Sequence, residues 1–151
     1  MWNYLGGMQE THREGDLLLV HGSPRDPVRD YMIPKDAGDE DKMKDVFARM
    51  NDARLCFVGH SHVPGVYPES GGYLQPEAVD GLYPVGQGRA VVNVGSVGQP
   101  RDGDPRASFA TFDGERVAFH RLPYDHEQTM AKIRAIPELP DYLADRLAKG
   151  R

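Results

Sequence analysis

Residues 55–58 (Leu-Cys-Phe-Val) form an apolar run that ends at a glycine and is followed at once by His-Ser-His. A run of this length and composition predicts a buried strand, and the glycine marks where that strand ends. Side chains two residues apart on an extended segment point to the same side of the backbone, so His60 and His62 are expected to point the same way. Two such imidazoles at a strand end are suited to hold a metal ion.

The same arrangement occurs earlier in the chain. Residues 16–20 predict a second buried strand, and His21 follows directly after it. Between the two strands, residues 39–50 place apolar side chains at helical spacing, with acidic residues early and an arginine late, which predicts an amphipathic helix. Residues 16–62 therefore predict a β–loop–α–β unit with parallel strands. Both histidine loops then lie at the same edge of the sheet, where α/β proteins bind ligands.

Beyond residue 62 the pattern changes to short strand-like runs separated by glycine-containing turns. This pattern predicts an antiparallel meander. The sequence Asp113-Gly114 between two such runs is a strong hairpin signal. The predicted strands cover residues 66–67, 73–74, 89–94, 107–112 and 116–122.

Helices are predicted at both ends of the chain. Residues 2–13 have the pattern of the end of an amphipathic helix that stops at Gly15, and residues 125–136 and 140–149 predict two short helices separated by prolines. No internal repeat or low-complexity linker interrupts the sequence. Residues 1–151 are therefore expected to form a single domain.

The net charge and the cysteine count limit which binding partners and which cellular compartment are expected. The formal net charge is −5 and no basic run is present, which argues against nucleic acid as the main partner. The single cysteine, Cys56, excludes an intrachain disulfide and suits a reducing compartment. No apolar stretch is long enough for a transmembrane helix, and the first residues do not resemble a signal peptide. A cytoplasmic location without membrane attachment is the expectation.

Three elements in a fixed order carry a family resemblance: His21-Gly22-Ser23, then Gly-His-Ser-His at residues 59–62, then Asn-Val-Gly-Ser-Val-Gly-Gln-Pro-Arg at residues 93–101. Together they resemble the calcineurin-like metallophosphoesterase family, in particular its small bacterial and archaeal phosphatase or phosphodiesterase branch. The resemblance implies an α/β (α+β) fold that is part of an αββα sandwich. It also implies metal-dependent hydrolysis of phosphoric esters by a metal-bridging hydroxide.

The resemblance further implies a ligand set. Two divalent ions would lie about 4 Å apart, and Mn, Fe, Zn, Co or Ni all accept neutral imidazole. By resemblance His21 and His60 ligate the second metal and His62 ligates the first. The substrate class implied is a small phosphate ester.

The chain departs from the family in its missing motifs. An Asp-x-His, a Gly-Asp-x-x-Asp and a Gly-Asn-His-Asp or -Glu are absent, and these supply the remaining ligands and the general acid, so the catalytic residue is unknown. The chain thus corresponds to the C-terminal half of the family domain. Met1 is expected to be an internal methionine or a misassigned start, and the isolated chain is expected to be inactive.

Two consequences of the missing half remain as predictions. A sheet surface left bare would favour association, including a homo-oligomer. The alternative to an enzyme is a non-catalytic metal-binding or subunit-interaction domain derived from a phosphoesterase half.

Outside the histidine loops, Arg25 and Arg101 are the nearest basic residues in sequence and are candidates to bind a substrate phosphate, beside the ordinary alternative of surface arginines. Residues 93–101 either bring backbone N–H groups near phosphate or form a tight strand exit packed under the metal loops, and packing is favoured. The remaining histidines are expected to be structural or solvent-facing: His12, His120 and His126.

Overall fold

A computed structural model describes Tyr4 and residues 6–151, and in this part of the chain the strands form two sheets. The strands are β1 (Thr11–Glu14), β2 (Leu17–Val20), β3 (Leu55–Val58), β4 (Gly65–Pro68), β5 (Leu82–Pro84), β6 (Ala90–Asn93), β7 (Ala107–Phe112) and β8 (Arg116–Leu122). The α-helices are α1 (Glu40–Arg49), α2 (His126–Arg134) and α3 (Tyr142–Ala148), and short 3-10 helices cover Pro34–Gly38 and Pro76–Val79.

The first sheet has the strand order β1-β2-β3-β6-β4, and the second has the order β5-β8-β7. In the first sheet β2, β3 and β6 are parallel, while β1 and β4 pair antiparallel at its two edges. The predicted β–loop–α–β unit, built from β2, α1 and β3, is confirmed. Because β2 and β3 are parallel neighbours, both histidine loops leave the sheet at the same edge.

The first sheet is covered on both faces. Helix α1 packs on one face, where Val46, Phe47 and Met50 join side chains of β2 and β3. On the opposite face, Leu55, Val66 and Val92 of the first sheet meet side chains of the second sheet. A separate small cluster lies between α2 and α3. The predicted α/β (α+β) class and its layered helix–sheet–sheet architecture are confirmed.

Both ends of helix α1 are stabilised by side-chain hydrogen bonds. The Asp39 side chain accepts a hydrogen bond of 2.9 Å from the backbone N–H of Lys42 and caps the first turn. At the other end, Arg89 Nη1 donates to the carbonyl oxygens of Phe47 at 2.8 Å and Asn51 at 3.1 Å. A cation on the last carbonyls complements the negative end of the helix dipole. The helix therefore lies within the predicted residues 39–50.

The position of β6 differs from the predicted meander. Residues 89–94 were expected to pair antiparallel with their neighbours. Ala90–Asn93 does pair antiparallel with β4, but its other neighbour is β3, to which it is parallel. All four side chains of this strand are buried. Burial of consecutive residues on both faces is typical of a parallel strand, and the run Ala-Val-Val carries that signal.

The rest of the meander is confirmed in part. Strands β7 and β8 form a hairpin around Asp113-Gly114, and Gly114 has the positive φ of 99° that its turn requires. Leu74 makes only an isolated bridge to Val66, and β5 was not predicted. The two helices expected near the end of the chain are present as α2 and α3.

The helix expected over residues 2–13 is wrong in its second part, although Tyr4 and Gly6 are helical. Thr11–Glu14 forms β1, which pairs with β2 in an antiparallel ladder. The free edge of β2 offers backbone hydrogen bonds that outweigh a weak helical pattern in exposed residues. Trp2 and Leu5, which carried much of that pattern, lie outside the described residues. Among the described helices, none combines the length and apolar character needed to cross a membrane.

Cys56 is fully buried in β3, and burial raises the pKa of its thiol to about 12. The thiolate is the reactive form, so at about pH 8 only about 10⁻⁴ of the native thiol is ionised. We expect a disulfide reagent to label the native protein very slowly and the denatured protein rapidly, with the native rate rising as the pH is raised. A spectrophotometric thiol assay with and without denaturant measures this. A native rate within tenfold of the denatured rate would contradict the buried position.

Candidate functional site

The ends of β2 and β3 bring two of the predicted histidines into contact. His21 Nε2 lies 2.8 Å from His60 Nδ1, and the ring centroids are 4.6 Å apart. The backbones are joined as well, since the Gly59 N–H donates to the His21 carbonyl at 3.0 Å. The two imidazoles therefore offer nitrogen atoms to nearly the same point at the carboxyl edge of the sheet.

The loop that carries His60 and His62 is not extended. Both residues adopt left-handed backbone conformations, with φ of 59° and 62°, and the Ser61 N–H closes a tight turn onto the Gly59 carbonyl at 2.6 Å. The expectation of an extended segment, from which both rings were inferred to point the same way, is therefore wrong. His60 contacts His21, while His62 Nδ1 lies 2.6 Å from the carbonyl oxygen of Gln99. Positive φ is uncommon for residues other than glycine, and such conformations concentrate at functional sites.

The hydrogen bond to Gln99 determines the tautomer of His62. A carbonyl oxygen can only accept, so Nδ1 of the ring carries the proton and donates it, which leaves the lone pair of Nε2 free. Metal-binding histidines commonly make this kind of bond through their second ring nitrogen.

The local environment also favours the neutral form of two imidazoles. Burial lowers the pKa of His21, and the neighbouring His60 lowers it further. Burial lowers the pKa of His62 as well, against the opposing effect of its bond to Gln99. Neutral imidazole is the form that binds metal ions.

Asn93 supports the histidine loop from below. Its side chain is fully buried at the end of β6, and Nδ2 donates to the Gly59 carbonyl at 2.9 Å and to Ser61 Oγ at 2.8 Å. Its Oδ1 accepts from the Gly95 N–H at 3.0 Å. The expectation that this segment forms a strand exit packed under the loops is confirmed for Asn93.

The two candidate arginines have different surroundings. The Arg101 N–H donates to the His62 carbonyl at 3.1 Å, and its Nη2 donates to Gln99 Oε1 at 3.0 Å, so this residue lies beside the histidine loop. Its Nε is buried and has no hydrogen-bond partner among the described residues. Arg25 instead donates from Nε to Asp45 of α1 at 3.1 Å. A substrate-binding role for either residue stays a prediction.

Tyr31 was not identified from the sequence. Its ring stacks on His60, with centroids 3.9 Å apart and an angle of 27° between the planes, and 44% of the residue remains exposed. It lies in the proline-rich loop after His21, where no periodic pattern indicates which side chain returns to the strand ends. Only the folded loop reveals this contact.

The remaining histidines occupy the peripheral positions expected of them. His12 is exposed on β1, His120 Nε2 lies 2.8 Å from Thr111 Oγ1 within the β7–β8 hairpin, and His126 is the first residue of α2. His12 also lines an open groove of about 650 Å³ that reaches His21. The groove is mainly apolar because Leu19, Val28, Phe57 and Val58 contribute to its walls.

A metal ion finds only part of a ligand set in the described chain. Across Tyr4 and residues 6–151, no three imidazole, carboxylate or thiol side chains are placed to hold one ion. The histidine nitrogens suit Mn, Fe, Zn, Co or Ni by their chemistry. Carboxylate oxygens, which complete many such sites, do not join them here. The described residues therefore could supply the histidine ligands of a metal centre but not its carboxylate ligands.

Comparisons with known proteins agree with this architecture. The model of the calcineurin-like phosphoesterase superfamily domain matches residues 3–116. An uncharacterized protein of Methanocaldococcus jannaschii is 35% identical over 147 residues, which cover 95% of this chain and 56% of the relative.

Solved structures show the same fold. A metallophosphoesterase from Sphaerobacter thermophilus superposes with a TM-score of 0.82 at 38% identity, covering 99% of this chain and 60% of that one. A hypothetical protein from Pyrococcus horikoshii OT3 shares the fold, with a TM-score of 0.69 at 20% identity and coverage of 99% and 54%. The chain thus spans little more than half the length of the relatives it matches.

Replacement of Asn93 by Ala removes both donors under the histidine loop. The Gly59 carbonyl and Ser61 Oγ lose a partner, and leaving buried groups unpaired costs about 1–3 kcal/mol each. We expect Asn93→Ala to lower the free energy of unfolding by about 2–4 kcal/mol in a urea titration. Gln87→Ala, at an exposed residue between β5 and β6, is the control and should change it by less than about 1 kcal/mol. Equal small effects from both variants would show that Asn93 does not hold the loop.

Proposed function

This chain belongs to the calcineurin-like phosphoesterase superfamily, and from that premise we propose that its histidines bind divalent metal for the hydrolysis of phosphoric esters. The observation that carries the proposal is the 2.8 Å approach of His21 Nε2 to His60 Nδ1 at two parallel strand ends, with His62 on the same loop. The proposed substrate is a small phosphomonoester or phosphodiester.

Each histidine has a defined part in this proposal. His21 and His60 offer nitrogens to one position, and His62 offers Nε2 because its Nδ1 is bonded to Gln99. Divalent ions of Mn, Fe, Zn, Co or Ni held by these residues, two in the arrangement that the family implies, would supply Lewis-acid charge to ionise water and to neutralise developing charge on phosphate. None of these three histidines is proposed as the general acid.

Arg101 is the stronger of the two candidates for binding the substrate phosphate. It is bonded to the histidine loop through its backbone, and its guanidinium keeps donors beyond the one used by Gln99. Charge-assisted bonds from arginine match the geometry of phosphate oxygens. Arg25 is held by Asp45, so it would have to leave that ion pair in order to bind substrate.

Substitution of the histidines tests the metal assignment. We expect His60→Ala and His62→Ala to weaken Mn²⁺ binding at least about 100-fold, because changes to the outer partners of metal ligands alone cost about 10- to 100-fold. Isothermal titration calorimetry measures binding, and release of p-nitrophenol from mono- and bis-p-nitrophenyl phosphate measures hydrolysis. His126→Ala, at the start of α2, is the matched control and should leave binding unchanged. Wild-type affinity in the His60 and His62 variants would sink the proposal.

A second function is favoured by the incomplete ligand set of the described residues and by the open apolar groove beside His21. In that case the chain is a non-catalytic metal-binding or subunit-interaction domain, and association through this groove would include a homo-oligomer. The same titrations separate the two functions, since Mn²⁺ binding without hydrolysis supports the second. Light scattering after size-exclusion chromatography reports whether the chain associates with itself.

A further inference from the structure

We propose that Tyr31 is a positioning residue for His60, and that Lys42 of α1 sets the place of Tyr31 without touching any of the three histidines. The metal-related part of this inference rests on the proposed function. Its structural part concerns only the orientation of the His60 ring.

The first contact is between the two rings. Tyr31 stacks on His60 with centroids 3.9 Å apart, while His21 meets His60 at an angle of 61°. The imidazole is therefore bounded by a ring on its face and a ring at its edge. Stacked aromatic pairs contribute beyond the area they bury, so removal of the Tyr31 ring frees His60 to rotate. His60 has a left-handed backbone conformation in a loop, so its ring is not packed against a helical turn of its own segment.

The second contact fixes the backbone of Tyr31. Lys42 Nζ donates to the Tyr31 carbonyl at 2.6 Å and to Asp36 Oδ2 at 2.8 Å, and it lies 3.6 Å from Asp30 Oδ1. The side chains of Lys42 and Asp36 are 13% and 11% exposed, so solvent screens this pair weakly. Ser23 Oγ donates to Asp30 Oδ2 at 2.6 Å and closes the network onto the loop after His21.

The third element is the turn that brings Tyr31 back to the strand ends. The Gly22 N–H donates to the Pro27 carbonyl at 2.6 Å, so the chain folds back directly after His21. A Cβ at Gly22 would lie 2.6 Å from the Asp26 carbonyl oxygen and 2.9 Å from that of Asp30, so only glycine fits there. The loop is thus tightly packed at Gly22, near its start, and Lys42 holds it at Tyr31, near its end.

Through these contacts Lys42 influences the orientation of the His60 ring without touching it. Outer partners that orient metal ligands typically change metal affinity about 10- to 100-fold when removed. We therefore expect Tyr31→Ala to weaken Mn²⁺ binding by about 10- to 100-fold, and Tyr31→Phe, which keeps the ring, to bind as the wild type does. Lys42→Met should weaken binding in the same direction, and Lys42→Arg should restore part of it. Lys44→Met, an exposed neighbour on α1, is the matched control.

The readout that does not need metal or activity is nuclear magnetic resonance of the histidine rings. In the wild type the Tyr31 ring should shift the His60 ring protons upfield and give cross-relaxation peaks between the two side chains. Tyr31→Ala loses both signals because the ring itself is gone, so the decisive signal is cross-relaxation between the His60 and His21 rings, whose centroids are 4.6 Å apart. Tyr31→Ala should weaken those His60–His21 peaks, and Lys42→Met should weaken all of these signals. The thermal unfolding midpoint of Tyr31→Ala should stay near that of the wild type, because the residue is exposed. A merely structural role would move the midpoint and leave the cross-relaxation peaks between the His60 and His21 rings in place.

The outcomes separate this inference from the proposed function. Absence of Tyr31–His60 peaks in the wild type, or unchanged His60–His21 peaks and Mn²⁺ affinity in Tyr31→Ala, would overturn the positioning role. If Lys42→Met does not fold, the Tyr31 variants still test the role of the Tyr31 ring. Lys42→Arg then tests the role of the Lys42 ammonium group. Failure of the wild type to bind Mn²⁺ would count against the proposed function, while the His60 spectra would still decide the positioning role.

Discussion

The buried side-chain amide of Asn93 connects strand β6, in the core, to the loop that carries His60 and His62. Strand β6 is enclosed on both faces, so the last side chain of that strand has no access to water. A buried amide needs partners, and those available at the carboxyl end of the sheet are the Gly59 carbonyl, Ser61 Oγ and the Gly95 N–H. The histidine loop therefore takes a shape that satisfies Asn93, with two residues in left-handed conformations.

The same edge of the sheet is supported from the helix layer. The loop after β2 folds back on itself at Gly22, and Lys42 of α1 binds both its acidic residues and its backbone. His60 thus lies between a loop held by the parallel strands and a loop held by α1. Two independent supports at one imidazole leave it little freedom, which is the condition for a preorganised binding site.

Several elements were predictable because their signals are local. The amphipathic spacing and capping aspartate of α1, the apolar run of β3 and the Asp-Gly turn of the β7–β8 hairpin each depend on a few adjacent residues. The elements that were missed depend on distant partners. Strand β1 exists because β2 has a free edge, and the parallel pairing of β6 depends on burial by α1 on one side and the second sheet on the other.

For the site, the sequence by itself determined which residue types stand at the strand ends, namely His21 after β2 and His60 and His62 after β3. It determined the family through the order and spacing of the motifs that contain them. Only the tertiary structure decided that His60 turns toward His21 while His62 turns toward Gln99, and that Tyr31 covers His60. The physical reason is that side-chain direction in a tight loop follows from the hydrogen bonds of its backbone, and the partners of those bonds lie far away in sequence.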